Sequence, residues 1–143
     1  MAHKPLPAYH FIVEWGGTRV SFAEVSGLDM YVDVTEYREG GDDEKQTHKL
    51  PGMTHYSNVT LKRGIMKGDN DFLDWFKTIE GGQVERRNVV ITLLNQNHEP
   101  LMHWKLLNAF PVKLSGPVLN AKSSEVAIEQ LELAHERLVI EAV

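Results

Sequence analysis

Apolar residues recur along the chain in short clusters, most with the two-residue period of β-strands, and only once with clear helical spacing. Tyr9–Trp15 and Thr18–Val25 are two β-favouring segments separated by Gly16-Gly17. They read as a hairpin, because glycine supplies the positive φ that a tight turn needs. After the break at Ser26-Gly27-Leu28-Asp29, the stretch Met30–Arg38 places Met30, Val32 and Val34 on one face and Tyr31, Asp33, Thr35 and Tyr37 on the other. That alternation predicts a half-buried strand.

The period is lost from Glu39 to Tyr56, which carries Gly40-Gly41-Asp42-Asp43-Glu44 and closes on Leu50-Pro51-Gly52. A loop this long within one domain is uncommon unless it has a function or is disordered. Strand character resumes over Ser57–Ile65. A helix follows, with Asp69 or Asn70 as its cap, Phe72, Leu73, Phe76 and Ile79 as its core stripe, and Gly81-Gly82 as its stop. Asn88–Leu94 is almost continuously apolar, as in a strand buried on both faces, and turns through Asn95–Pro100 into a partner at Leu101–Asn108. Phe110–Leu114 is extended. Ser124–Val143 fits either a strand or a helix, because its apolar spacing suits both and it is rich in helix formers. About eight strands and one helix in a single domain is the expected architecture.

Composition narrows the function. The formal net charge of −5 disfavours nucleic-acid binding, which relies on clustered Lys and Arg. Without cysteine there is no disulfide framework, thiolate zinc site or thiol nucleophile. The first residues lack the apolar segment of a secretion signal, and no apolar run approaches a membrane span, so synthesis in the cytoplasm as a soluble protein is expected. The seven histidines form no His-x-His or His-Glu-x-x-His pair, Ser26 lacks a nucleophile elbow, and the glycines build no phosphate loop. Glu125, Glu129, Glu132, Glu136 and Glu141 read as a solvated acidic face. No catalytic, cofactor or metal site emerges. The unresolved problem is geometric: one helix cannot cover the edges of so many strands, and exposed edges must be blunted or paired with another chain. A closed monomeric barrel or a ring of copies would each solve it.

Six segments in order carry a family resemblance: Val25–Asp29 before Glu36–Gly41; Leu50-Pro51-Gly52; Asn58–Ile65; the helix with Phe72 and Trp75; Asn108–Pro111; and Ser123–Ile128 with Leu131–Glu136. Together they resemble the inner tube proteins of contractile phage-tail-like particles, above all extracellular injection systems of the antifeeding-prophage type. The resemblance implies a mainly β fold of two packed antiparallel sheets with one flanking helix, and strand structure over Ser124–Val143. It implies hexameric rings that share a β-barrel lumen and stack into a tube inside a sheath. Its partners would be further copies of itself, sheath protein, baseplate and tube-initiator proteins, a terminal cap and lumen cargo, in a particle that leaves the cell. On this reading the long loop touches the adjacent ring through Gly40, Gly41, Asp42, Asp43, Lys49, Leu50, Pro51, Gly52 and Met53. The alternatives are a tube-initiating paralogue at the baseplate, a monomeric β-barrel that binds a ligand, and a small enzyme whose site converges only in three dimensions.

Overall fold

The computed structural model describes residues 10–17, 21–38 and 47–143, together with Leu6 and Gly40. In chain order the elements are β1 (Phe11–Glu14), β2 (Phe22–Ser26), β3 (Met30–Tyr37), β4 (His48–Tyr56), β5 (Val59–Gly64), α1 (Asp71–Glu80), β6 (Arg87–Leu94), β7 (Pro100–Ser115), β8 (Ile128–Ala134) and β9 (Arg137–Ala142). Every pairing is antiparallel.

Strand β7 is long enough to serve two sheets. Its first half lies between β6 and β9 in a sheet ordered β1-β6-β7-β9. Its second half pairs with β8 in a sheet ordered β7-β8-β5-β2. The corner falls at Asn108, whose φ of 53° is a left-handed conformation that asparagine tolerates better than most residues. The Asn108 backbone N–H donates to Asn88 Oδ1 at 3.1 Å, and its side-chain amide donates to Glu136 Oε2 at 2.8 Å. The chain passes from β8 to β9 at the same level, where the Glu136 N–H donates to the Leu107 carbonyl at 2.9 Å, and the two sheets enclose one shared core.

Between the sheets the strand period decides burial. Val59, Leu61 and Arg63 of β5, Leu131 and Leu133 of β8, Val89 and Ile91 of β6, Leu106 of β7 and Leu138 of β9 all face inward and are buried. Each aliphatic side chain so buried contributes about 1.5–3 kcal/mol. Trp15, Phe22, Phe72 and Trp75 add an aromatic cluster, with edge-to-face geometry between Trp15 and Phe72 at 5.1 Å. Helix α1 supplies Phe72 and Trp75 to this cluster, while Phe76 and Ile79 are half-buried and Leu73 is 38% exposed. The helical stripe is therefore Phe72, Trp75, Phe76 and Ile79, at i, i+3, i+4 and i+7. Leu73 lies on the solvent side of it. Asp69 accepts the Asp71 backbone N–H at 3.0 Å at the helix start, and Gly82 at φ +79° ends it.

Besides the placement of Leu73 in the core stripe, four further expectations from the sequence need correction. Strands β1 and β2 do not form a hairpin: β1 pairs with β6 and β2 with β5, in different sheets. Gly16-Gly17 serves instead to carry the chain past the Trp15 indole, since a Cβ on Gly17 would lie 2.3 Å from that ring. Strand β3 is exposed on both faces rather than half-buried. Residues 48–56 are strand β4, paired with β3 from Met30↔Tyr56 to Tyr37↔His48, rather than loop. Lys49, Leu50, Pro51, Gly52 and Met53 thus sit in a strand, Gly40 in a turn, and Gly41, Asp42 and Asp43 outside the described residues. Finally, the C-terminal glutamates form no single acidic face. Glu129 pairs with Arg63, Glu136 with Arg86, and Glu141 with Lys105.

Candidate interaction surface

The part of the molecule least explained by its own fold is the β3–β4 hairpin. It extends away from the sandwich as an arm, and its apolar side chains have no core to enter: Val34 is 59% exposed and Met53 73%. Its internal cohesion is local. Tyr31 stacks on His55 at 5.3 Å, His55 Nε2 lies 2.6 Å from Asp33 Oδ2, and Tyr37 meets His48 at 5.3 Å. A bulge between Val32 and Val34 brings Asp33 over Gly52, where an added Cβ would approach the Asp33 side chain to 3.1 Å. Pro51, which cannot donate a backbone hydrogen bond, is tolerated because the hairpin has open edges on both sides.

The root of the arm is fastened more firmly than its length. Gly27, at φ +90°, passes so close to Asn58 that a Cβ would sit 2.1 Å from the Asn58 carbonyl oxygen. The Ser57 N–H donates to the Asp29 carbonyl at 3.2 Å. His135 Nε2–H donates to the Ser57 carbonyl at 3.0 Å, its ring leans on Tyr56 at 5.7 Å, and Asn58 donates to Glu132 at 3.1 Å. The arm is thus anchored to the corner where β8 meets β9.

Sheet edges form the second feature. In the sheet β7-β8-β5-β2, β2 and the second half of β7 each carry an open edge; in the other sheet, β1 and β9 do. The outward face of β7-β8-β5-β2 is mainly polar, with Ile128 on it opposite Gly64 and Val112 exposed at the β7 bulge. Glu24 bonds Lys62 at 2.8 Å, and Lys113 lies opposite Glu132. A cleft of about 410 Å³ opens between the two sheets beside the β1 and β2 edges, with Phe11, Val25, Leu28, Ile91, Leu93 and Trp104 in its walls. A second cleft, of about 770 Å³, lies under the loop of residues 116–127 that joins β7 to β8.

One polar cluster lies inside the fold. Arg63 is 1% exposed and bonds Asp69 at 3.1 Å and Glu129 at 2.7 Å, with its guanidinium 4.0 Å from the Phe72 ring centre. It ties the start of α1 to β5 and β8. The alternation Val59, Leu61, Arg63 puts this cation on the apolar face, a signal the sequence reading overlooked. The other described histidines are scattered among separate partners: His10 stacks on His98, and His103 meets the buried Thr92 hydroxyl at 2.9 Å. Among the described residues, no group of three or more His, Asp or Glu side chains is arranged to hold a metal ion. No helix among them is long and apolar enough to cross a membrane.

Comparisons with known proteins point to assembly. The family model described as T4-like virus tail tube protein gp19 matches residues 7–139. A chain from the PVC extracellular contractile injection system, in a sheath–tube complex in the extended state, is 37% identical. It covers 97% of this chain and 93% of its own, with a TM-score of 0.88. A chain from the cap that terminates the tube of the anti-feeding prophage is 36% identical over 100% of this chain and 95% of its own, with a TM-score of 0.91. Hcp1 from Flavobacterium johnsoniae, 12% identical over 93% of this chain and 95% of its own, shares the fold with a TM-score of 0.60. No curated protein sequence matches.

Proposed function

Because the chain belongs to the T4-like virus tail tube family and is a tail tube protein of a contractile injection system, we propose that it is the repeating inner-tube subunit, closing into hexameric rings that stack within a sheath. The observation that carries this reading is the four-stranded sheet β7-β8-β5-β2. Its strands alternate in direction and their number is even, so β2 of one copy and the second half of β7 of the next would meet antiparallel. Rotation about a ring axis then joins every copy into one closed barrel, which removes the open edges of that sheet. The polar face with Glu24, Thr60, Lys62, Lys113, Gln130 and Glu132 would line a water-filled bore. Because its charges are balanced, it would hold neither acidic nor basic cargo strongly.

The arm supplies ring-to-ring contact through Lys49, Leu50, Pro51, Gly52 and Met53. Baseplate, tube-initiator and cap proteins would meet the two ends of the tube, and the assembled particle would act outside the cell that makes it. Identity of 37% to the sheath–tube chain against 26% to a chain of the anti-feeding prophage baseplate supports the main tube subunit over an initiator specialised for the baseplate.

The apolar cleft between the sheets supports a second reading, a monomeric carrier of a small apolar ligand, since pockets of this size and character commonly bind one. Negative-stain microscopy separates the two. The purified chain, alone and co-expressed with sheath and baseplate proteins, should give rings and then tubes. A species that stays monomeric at 16.2 kDa in both preparations would reject the tube reading.

A further inference from the structure

We infer that the cleft under the β7–β8 loop is the receptor for the β3–β4 arm of a copy in the adjacent ring. This rests on the tube reading and adds to it the surface on which the arm docks.

The placement comes from strand direction. In the sheet β7-β8-β5-β2, one end is marked by Ser26, Val59, Leu133 and Pro111, and the other by Phe22, Gly64, Ile128 and Ser115. The arm leaves β2 and returns to β5 at the first end. The loop of residues 116–127 leaves β7 and returns to β8 at the second. The two features are therefore rooted at opposite ends of the same strands. An open stack of rings needs two different, mutually complementary patches on opposite ends of each subunit, each used once per contact.

The chemistry of the two ends matches. The loop exposes Val118 at 91% and Leu119 at 85%, and Val126 beside them is also open to solvent. The arm exposes Val32, Val34, Leu50 and Met53. Neither set is covered by the rest of the described chain, and a two-stranded hairpin is at best marginally stable in water by itself. Docking one end into the other would bury both apolar sets. The cleft volume of about 770 Å³ is enough for several side chains of an inserted strand pair.

The test uses the absence of cysteine from the sequence. Met53→Cys and Leu119→Cys together, in particles assembled with sheath and baseplate, should yield a ladder of disulfide-linked multimers on mild oxidation, because every copy would link both upward and downward. Either substitution alone should leave the ladder absent. Tubes that assemble normally but give no ladder would overturn the docking assignment while leaving the tube reading intact. In a second arm of the test, Val118→Asp with Leu119→Asp should leave rings intact. Tube length should fall about tenfold or more, since a carboxylate pressed into an apolar contact loses its hydration. Tubes of normal length, or normal tubes that only fail to recruit sheath, would show that the loop does not receive the arm. If the unaltered chain forms neither rings nor tubes, the tube reading falls, and this inference with it.

Discussion

The sandwich and the arm carry similar strand patterns in sequence and meet opposite fates in the fold. In β5, the alternation Val59, Leu61, Arg63 sends each of these side chains into a closed interior. In β3, the alternation Met30, Val32, Val34 is as regular, yet every residue is exposed. Alternation therefore reports that a face is meant to be covered, and says nothing about which chain covers it. The sandwich covers itself. The arm leaves its apolar side chains uncovered by the rest of the described chain.

Removing the arm should produce the largest effect and should split the two regions cleanly. Residues 29 and 57 are already joined by a backbone hydrogen bond and Tyr56 packs on the core, so replacing Tyr31–His55 with a short Gly-Gly turn should preserve the sandwich. The expected result is an unchanged denaturation midpoint of the body with complete loss of stacked tubes by electron microscopy.

Within the body, Arg63→Met should destabilise by about 3–5 kcal/mol, because it leaves Asp69 and Glu129 without their shared buried cation. Urea denaturation followed by tryptophan fluorescence would measure it. A loss under about 1 kcal/mol would mean that the guanidinium's own desolvation offsets the two ion pairs.

The helix offers a graded series. Trp75→Ala should cost about 3–5 kcal/mol as a fully buried truncation, and Phe76→Ala about 1–2 kcal/mol as a half-buried one. Leu73→Ala should stay within about 0.5 kcal/mol. Reversal of the order of Trp75 and Leu73 would show that the helix presents a different face.

The smallest effect on stability is expected in the arm itself. Val34→Asp should change the free energy of unfolding by no more than about 0.5 kcal/mol, since the side chain is already in water. The same variant should impair assembly, so pairing calorimetry with particle counts would show stability and stacking to be independent.

The parts of the fold that could be read from sequence are those whose local chemistry and tertiary environment agree. The helix lies between an acidic start and a glycine pair, and Asn95–Pro100 forms its turn with the Asn95 side chain accepting the N–H groups of Asn97 and Glu99. Strand β6 is buried because it lies between β1 and β7, as its continuous apolar run implied. Elsewhere the local pattern was insufficient. Gly16-Gly17 looks like a hairpin turn but is a crossing point, and only the Trp15 indole beside it explains why glycine is needed. Strand β4 was hidden because Pro51 and Gly52 are poor strand formers, and its partner β3 lies across an intervening polar segment. The choice between strand and helix for Ser124–Val143 depended on β7, which provides a pairing edge to both β8 and β9. As for the surface proposed to join rings, its apolar residues were visible at Leu50 and Met53. The inter-ring role given to them came from the family resemblance, because the local pattern carries no sign of a partner.

Hydrogen exchange of the backbone amides, compared between the free subunit and the assembled tube, tests the central claim most directly. In the free chain, amides of β3 and β4 should exchange much faster than those of β5, β6 and β8, because an isolated hairpin opens easily. In the tube, β3 and β4 should become as protected as the sandwich strands, with β5, β6 and β8 little changed. Arm amides that still exchange at free-subunit rates within well-formed tubes would contradict the account.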